Sequence, residues 1–421
     1  MKEKILYIYL FLLIAAIAFS PRFPLGVISD GRKIDIRAED ILILGGAMVG
    51  LFFLWRKIKN KERIEQPPFF VPILCVILWG FFSISLNLFF GNLKLDKAVF
   101  YFGKEIEFFL LYFLVFYSIK DLKTNLFLQK IWLLFATLNV LWIFYVIFTN
   151  SKNYIYYGAN TFAEPRGPFP SGGFFLMLFL LLFGLFIFYY NSLEFSKHPK
   201  IFLSILSYLP IVGIVASGSR ASAVGFFSAL FIFLVLQMLN GINFYKFLKI
   251  LFFISLAIIV FYGSVFLLSI KKDIVSIERV IDVENMKLEY SFNKKDSRLI
   301  IMTKNFFEVV ENKKNFFLGK GVYGEAHSQY ARVILERGII GFFLFLWLVG
   351  SILLTSWKKF QTAENNFIKG LSAISIVATI VMLVMAIPND SFMVVKIAEV
   401  YWFIVGMSAA IYKKDKRDEY E

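Results

Sequence analysis

The stretch FLKILFFISLAIIVFYGSVFLLSI, residues 247–270, holds a single charged side chain, Lys249, and no proline. About 20 apolar residues suffice for a helix to cross the hydrocarbon core of a bilayer. Backbone N–H and C=O groups in lipid must pair within the protein, and a long run without polar alternation can do so only as a helix. ILYIYLFLLIAAIAF (5–19) and VPILCVILWGFFSISLNLFF (71–90) read the same way. With 59% hydrophobic residues, 53 phenylalanines in 421 positions and a mean hydropathy of +0.70, the chain carries more apolar surface than one soluble core encloses. The sequence predicts an all-α integral membrane protein.

Hydropathy and helix-breaking residues together predict about twelve spans, near 4–20, 38–55, 69–90, 99–119, 131–149, 173–190, 201–216, 221–239, 248–270, 338–356, 367–386 and 393–412. The first run follows Lys2 and Lys4 and resembles a signal peptide in length, but the many later runs favour an uncleaved first span. Basic residues gather in RKIKNKERIEQ (56–66), KDLKTN (120–125), SKHPK (196–200), SWKKF (356–360) and the tail KKDKRDEYE (413–421). An even span count puts both termini on that side, which the positive-inside rule makes cytoplasmic. The chain then divides into spans 1–9 over residues 1–270, a large outer loop with amphipathic helices over 271–337, spans 10–12 over 338–412, and a tail over 413–421.

Several function classes fall away. The formal net charge of +15 is spread through loops between spans, without base-stacking aromatics on a soluble face, so no nucleic-acid partner is expected. Cys75 is the one cysteine and sits in an apolar run, which rules out a disulfide framework or thiolate cluster. Two histidines on opposite sides of the membrane and no local carboxylate cluster predict neither metal nor cofactor. No internal repeat points to the two halves of a transporter.

Candidate chemistry lies on the outer face. In SGSRASAVGFF (217–227), Ser219 reads as an N-cap and Arg220 as the first residue of the next helix. Helix N–H donors plus a guanidinium fork suit phosphate, although an arginine snorkelling to the interface has the same spacing. Arg298 begins an amphipathic pattern in which Leu299, Met302, Phe306 and Val309 recur at helical spacing, and it reads equally as a solvated loop charge. Arg166, in the proline-stiffened NTFAEPRGPFPSGG (160–173), is a further anion contact. In GKGVYGEAHSQYARVILERG (319–338), no strand precedes the glycines, so they form a tight turn and not a dinucleotide loop. The helix after them puts His327, Ala331, Ile334 and Leu335 on one face, expected to meet the protein, and Ser328, Gln329, Arg332 and Glu336 on the other. His327 there is either a base or a satisfied core histidine, and His198 a solvated loop residue. Lys396 and Glu399 stand at i, i+3 in the last span and read as a mutually neutralising pair, with Asp390 at the turn before it.

In order along the chain, SGSRASAVGFF (217–227), SRLIIMTKNFF (297–307) and LGKGVYGEAHSQYARVILERGIIGFFLFL (318–346) resemble the signature region of the O-antigen ligase and O-antigen polymerase superfamily. The specific likeness spans roughly 210–345, with Ser328 where the family commonly has asparagine. The resemblance implies a polytopic, GT-C-like, metal-independent glycosyltransferase of the bacterial inner membrane with its active site on the periplasmic face. Its donor would be an undecaprenyl-diphosphate-linked glycan, and its acceptor a lipid A core sugar (ligase) or a carrier-linked repeat unit (polymerase). By the same resemblance His327 matches the essential histidine, and Arg220 and Arg298 match two arginines near the diphosphate. A flippase for lipid-linked oligosaccharides is the alternative of another class.

Overall fold

The computed structural model describes residues 2–19, 22–27, 33–62, 64–91, 93–119, 121–149, 168–190, 197–241, 244–269, 307, 309–321 and 328–418. The architecture is helical: α1 (Lys2–Phe19), α2 (Ala38–Lys59), α3 (Phe70–Phe89), α4 (Leu95–Ser118), α5 (Leu122–Phe148), α6 (Pro168–Leu185), α7 (Lys197–Ala216), α8 (Arg220–Leu239), α9 (Phe244–Ser269), α10 (Lys313–Leu318), α11 (Gln329–Thr362), α12 (Asn366–Met385) and α13 (Val395–Asp418). Every one of the twelve apolar ranges falls on one of these helices. Eight of the described helices are long and apolar enough to cross a membrane. Those at Lys4–Phe19 and Leu206–Ala216 are apolar but shorter, while α4 and α13 bury charged side chains within their length.

The connection before α2 holds a short β-hairpin. β1 (Arg22–Val27) and β2 (Lys33–Arg37) pair antiparallel, Arg22 opposite Arg37 and Phe23 opposite Ile36, with an irregularity between Pro24 and Gly26. The alternation in Lys33-Ile34-Asp35-Ile36-Arg37 is the period-two signal of a strand, short enough to be lost beside the apolar runs.

α6 is the axis of the bundle. PFPSGGFFLMLFLLLFGL is apolar on every face, and a helix without a polar side has to be surrounded; residues 171–188 are all buried. It packs on α5, α7, α8, α12 and α13. Close approach is bought with glycine: side chains at Gly173 and Gly184 would overlap Ile397 and Ile374, and one at Gly213 would overlap the Phe175 ring. α13 closes the opposite side against α4, where Gly406 leaves room for Val115.

α11 breaks near its start, because Gly338 takes φ +66°. This matches the expectation of a short helix ended by glycine before a span. Of the outer loop, Val309 is fully buried, beside Leu335, Ala331 and Ile334.

Replacing Gly213 with leucine should lower unfolding stability in detergent by about 1–3 kcal/mol or more through overpacking against Phe175. Gly263→Ala, where no atom lies within 4 Å of the added carbon, should leave the melting temperature unchanged or slightly higher.

Candidate functional site

The turn between α7 and α8 is built as the sequence implied. α7 ends at Ala216, Gly218 takes φ +67°, and Ser219 returns to extended backbone to cap α8, its Oγ accepting from Ser222 N at 3.3 Å. Ser219 Oγ and Ser222 Oγ share a 2.8 Å hydrogen bond, and Ser217 Oγ donates to Ile214 O at 2.7 Å. The three serines are buried, and the start of α6 presses on them at Gly172, where any side chain would strike Ser217, Ser219 and Ser222. Arg220 opens α8 from this turn, half-buried.

A second construction surrounds the first half of α11. A helix that stops leaves its last carbonyls without intrahelical donors. Here Lys320 N donates to Leu335 O at 2.7 Å and Gly321 N to Glu336 O at 3.0 Å. Trp79 Nε1 donates to Arg337 O at 2.9 Å, and Ser83 Oγ reaches Glu336 O at 3.2 Å and Leu318 O at 2.5 Å. Asn87 Nδ2 donates to Gly319 O at 3.2 Å. Gly319 takes φ +72° with its Cα facing the Glu336–Arg337 backbone, so the glycines make a close-packed turn as expected.

Residues 329–337 bury their polar face. Ser328, Gln329, Arg332 and Glu336 are all buried, whereas Ala331, Ile334 and Leu335 meet Val309 of the loop. The apolar face meets the protein as expected, through Val309, and the polar face is buried as well, as ionisable groups in an apolar surround require. Arg332 Nε holds Glu336 Oε1 at 2.9 Å, its other arm holds Asp390 Oδ2 at 2.6 Å, and its guanidinium lies 5.7 Å from the Tyr101 ring centre. Ser328 Oγ donates to Ala386 O at 3.1 Å, Gln329 N to Ala386 O and Asn389 O at 3.0 Å, and Tyr330 OH to Leu383 O at 2.9 Å. Arg337 pairs with Glu105. A cavity of about 50 Å³ runs beside that pair, bordered by Gln329, Glu336 and Trp402, large enough for ordered water.

Of the candidate residues, Arg220 is described, and His327, Arg298 and Arg166 lie outside the described residues. Ser328, next to His327, is fastened to the turn that follows α12, and Met385 at the end of α12 approaches Gly225 of α8. The start of α6, the start of α8, the end of α12 and the start of α11 thus lie at one end of the bundle. The apolar run of α3 was legible as a span, but its stripe of Trp79, Ser83 and Asn87 at i, i+4 and i+8, an inward polar face readable from spacing, was not singled out.

Two other readings change. Lys396 Nζ donates to Ala18 O at 3.0 Å and stands 5.2 Å from the Phe174 ring centre, while neither Glu399 oxygen has a hydrogen-bond partner; the expected i, i+3 pair is not formed. The sequence also showed no carboxylate cluster, yet Glu39, Asp40 and Glu399 bring carboxylate oxygens within 4.8 Å of one another. No family model matches the chain, and neither does any curated protein.

Arg332→Ala should cost about 3 kcal/mol in unfolding measurements in detergent, because it leaves Glu336 buried without its cation. Asp390→Asn should cost under about 1 kcal/mol, since the Asp390 side chain is 37% exposed.

Proposed function

We propose that this protein is a metal-independent, inverting glycosyltransferase of the O-antigen ligase type, moving a glycan from undecaprenyl diphosphate to a hydroxyl of a lipid A core sugar. The observation that carries the reading is the set of three motifs at 217–227, 297–307 and 318–346. It is supported by the capped start of α8 with Arg220 at its head, at the same end of the bundle as Ser328, the neighbour of His327. In this reading all twelve helical ranges cross the inner membrane, both termini are cytoplasmic, and the site opens to the periplasm.

The chemistry follows from the bonds involved. The acceptor oxygen attacks the anomeric carbon, the carbon–oxygen bond to the diphosphate breaks, and its electron pair leaves with the diphosphate. His327 takes the hydroxyl proton, for which a neutral imidazole has the right intrinsic basicity. Arg220 and Arg298, with Arg166 as a further contact, offset the charge that grows on the leaving diphosphate, the task a fixed cation performs best. A single displacement inverts the anomeric configuration. The ligase is favoured over the polymerase by one histidine and two arginines grouped about one principal late loop.

Purified full-length protein in detergent, given an undecaprenyl-diphosphate glycan with lipid A core and a carrier-linked repeat unit as competing acceptors, should transfer to lipid A core without added metal. His327→Ala and Arg220→Ala should each slow transfer by about 100-fold or more; full activity in His327→Ala would remove the assigned base. Chain growth on the carrier would make the protein a polymerase, and transfer to neither acceptor would favour a flippase.

A further inference from the structure

Four carboxylates and two cations meet where β2 enters α2 and where α4 and α13 pack beside it. Glu39 and Glu399 have no exposed surface, and Asp40 and Glu107 are buried. Lys104 Nζ stands 2.7 Å from Asp40 Oδ1 and 2.9 Å from Glu107 Oε2. Arg37 stands 3.8 Å from Glu39 Oε1, and its backbone N–H donates to Asp40 Oδ2 at 3.0 Å. Among the described side chains of this group, carboxylates outnumber cations.

That excess gathers at Glu399. Its charged neighbours are Glu39, Glu107, Arg37 and Lys104, yet both of its carboxylate oxygens, and Oε1 of Glu107, are buried and accept no hydrogen bond. A bare carboxylate in an apolar interior costs several kcal/mol, about as much as a counter-ion can repay. Lysine 396 on the same helix is directed to Ala18 O and the Phe174 ring instead. Glu399 therefore sets an oxygen with no hydrogen-bond partner within 4.8 Å of two further carboxylates.

We propose that Glu399, Glu39 and Asp40 form a binding site for a hard divalent cation of the calcium class. The donors are all oxygen, which suits calcium and magnesium and not the softer transition metals. Calcium holds oxygens at about 2.3–2.6 Å, so ligands across the ion stand about 4.6–5.2 Å apart. Each of the three carboxylates has an oxygen within 4.8 Å of the other two, close enough for one ion to reach all three. Magnesium demands near-ideal octahedral geometry and sheds its water reluctantly, which a buried carboxylate cluster serves less well. The ion braces α2 against α13 beside α4 and takes no part in the transfer reaction. The inference rests on this cluster alone and does not use the functional reading above.

The test is equilibrium binding of radioactive calcium to the purified full-length chain in detergent after chelator treatment, with melting temperature followed in parallel. Wild-type protein should bind one ion per chain, saturably, below about 1 mM, and calcium should raise its melting temperature. Glu399→Gln should bind at least about 10-fold more weakly, a loss of about 1.4 kcal/mol, and show no calcium-dependent shift. Glu311→Gln, at an exposed position remote in sequence from the cluster, should behave as wild type. Absence of saturable binding to wild-type protein, a result that needs no variant to fold, would overturn the site and leave protons as the neutralising charge. Unchanged affinity in Glu399→Gln would overturn it as well.

Discussion

A helix that stops inside an apolar surround exposes carbonyls and amides with no water to receive them, and each must be met by another part of the protein. The chain stops helices twice at such places, at Gly218 and at Gly338. At the first, three buried serines and their own turn supply the partners. At the second the donors come from two distant segments, the 320–321 amides and the side chains of α3. Both breaks bear on the site, since one delivers Arg220 and the other ends the helix that follows His327. The requirement to pair the backbone thus decides where irregular structure is tolerated, and Arg220 stands next to one of those places.

Charge obeys the same requirement with larger energies. The turn Lys104-Glu105-Ile106-Glu107 of α4 serves two neighbours at once. Lys104 and Glu107 face α2, and Glu105 reaches Arg337 of α11. A single helical turn thereby ties the N-terminal hairpin region to the segment after His327. Arg332 performs a similar double duty between Glu336 and Asp390. The bundle carries its buried ions as connected groups, each spanning helices that are far apart in sequence.

What could be read in advance follows from whether a property is local. Length and hydropathy are local, so the twelve apolar ranges coincide with helices, and so is capping chemistry, which identified Ser219. The helical wheel of 328–337 separated an apolar side, which packs on Val309, from a polar side that is buried too. Burial of the second side was not legible, because its partner Asp390 lies far along the chain. The union of Glu39 and Asp40 with Glu399 was not legible, because some 360 positions separate them and nothing local marks them as partners. Such contacts exist only once the bundle has closed. The β1–β2 pair was missed for a different reason: its alternation is present but occupies only five residues in the second strand.

The bond from Trp79 to Arg337 joins positions 258 apart in the chain. Synthesis runs from the N-terminus, so α3 is complete long before the carbonyls it serves exist. Through that interval Asn87 has a partner of its own, Ser83 O at 2.9 Å on the same helix, but the Trp79 indole must wait. The first half of α11 is in turn held by residues 383–390, made later still. The start of α11 is therefore among the last of the described segments to acquire its shape. A ribosome that releases the chain short of residue 390 leaves Arg332 without Asp390, and this end of the bundle loses the ion pair that ties α11 to the turn after α12.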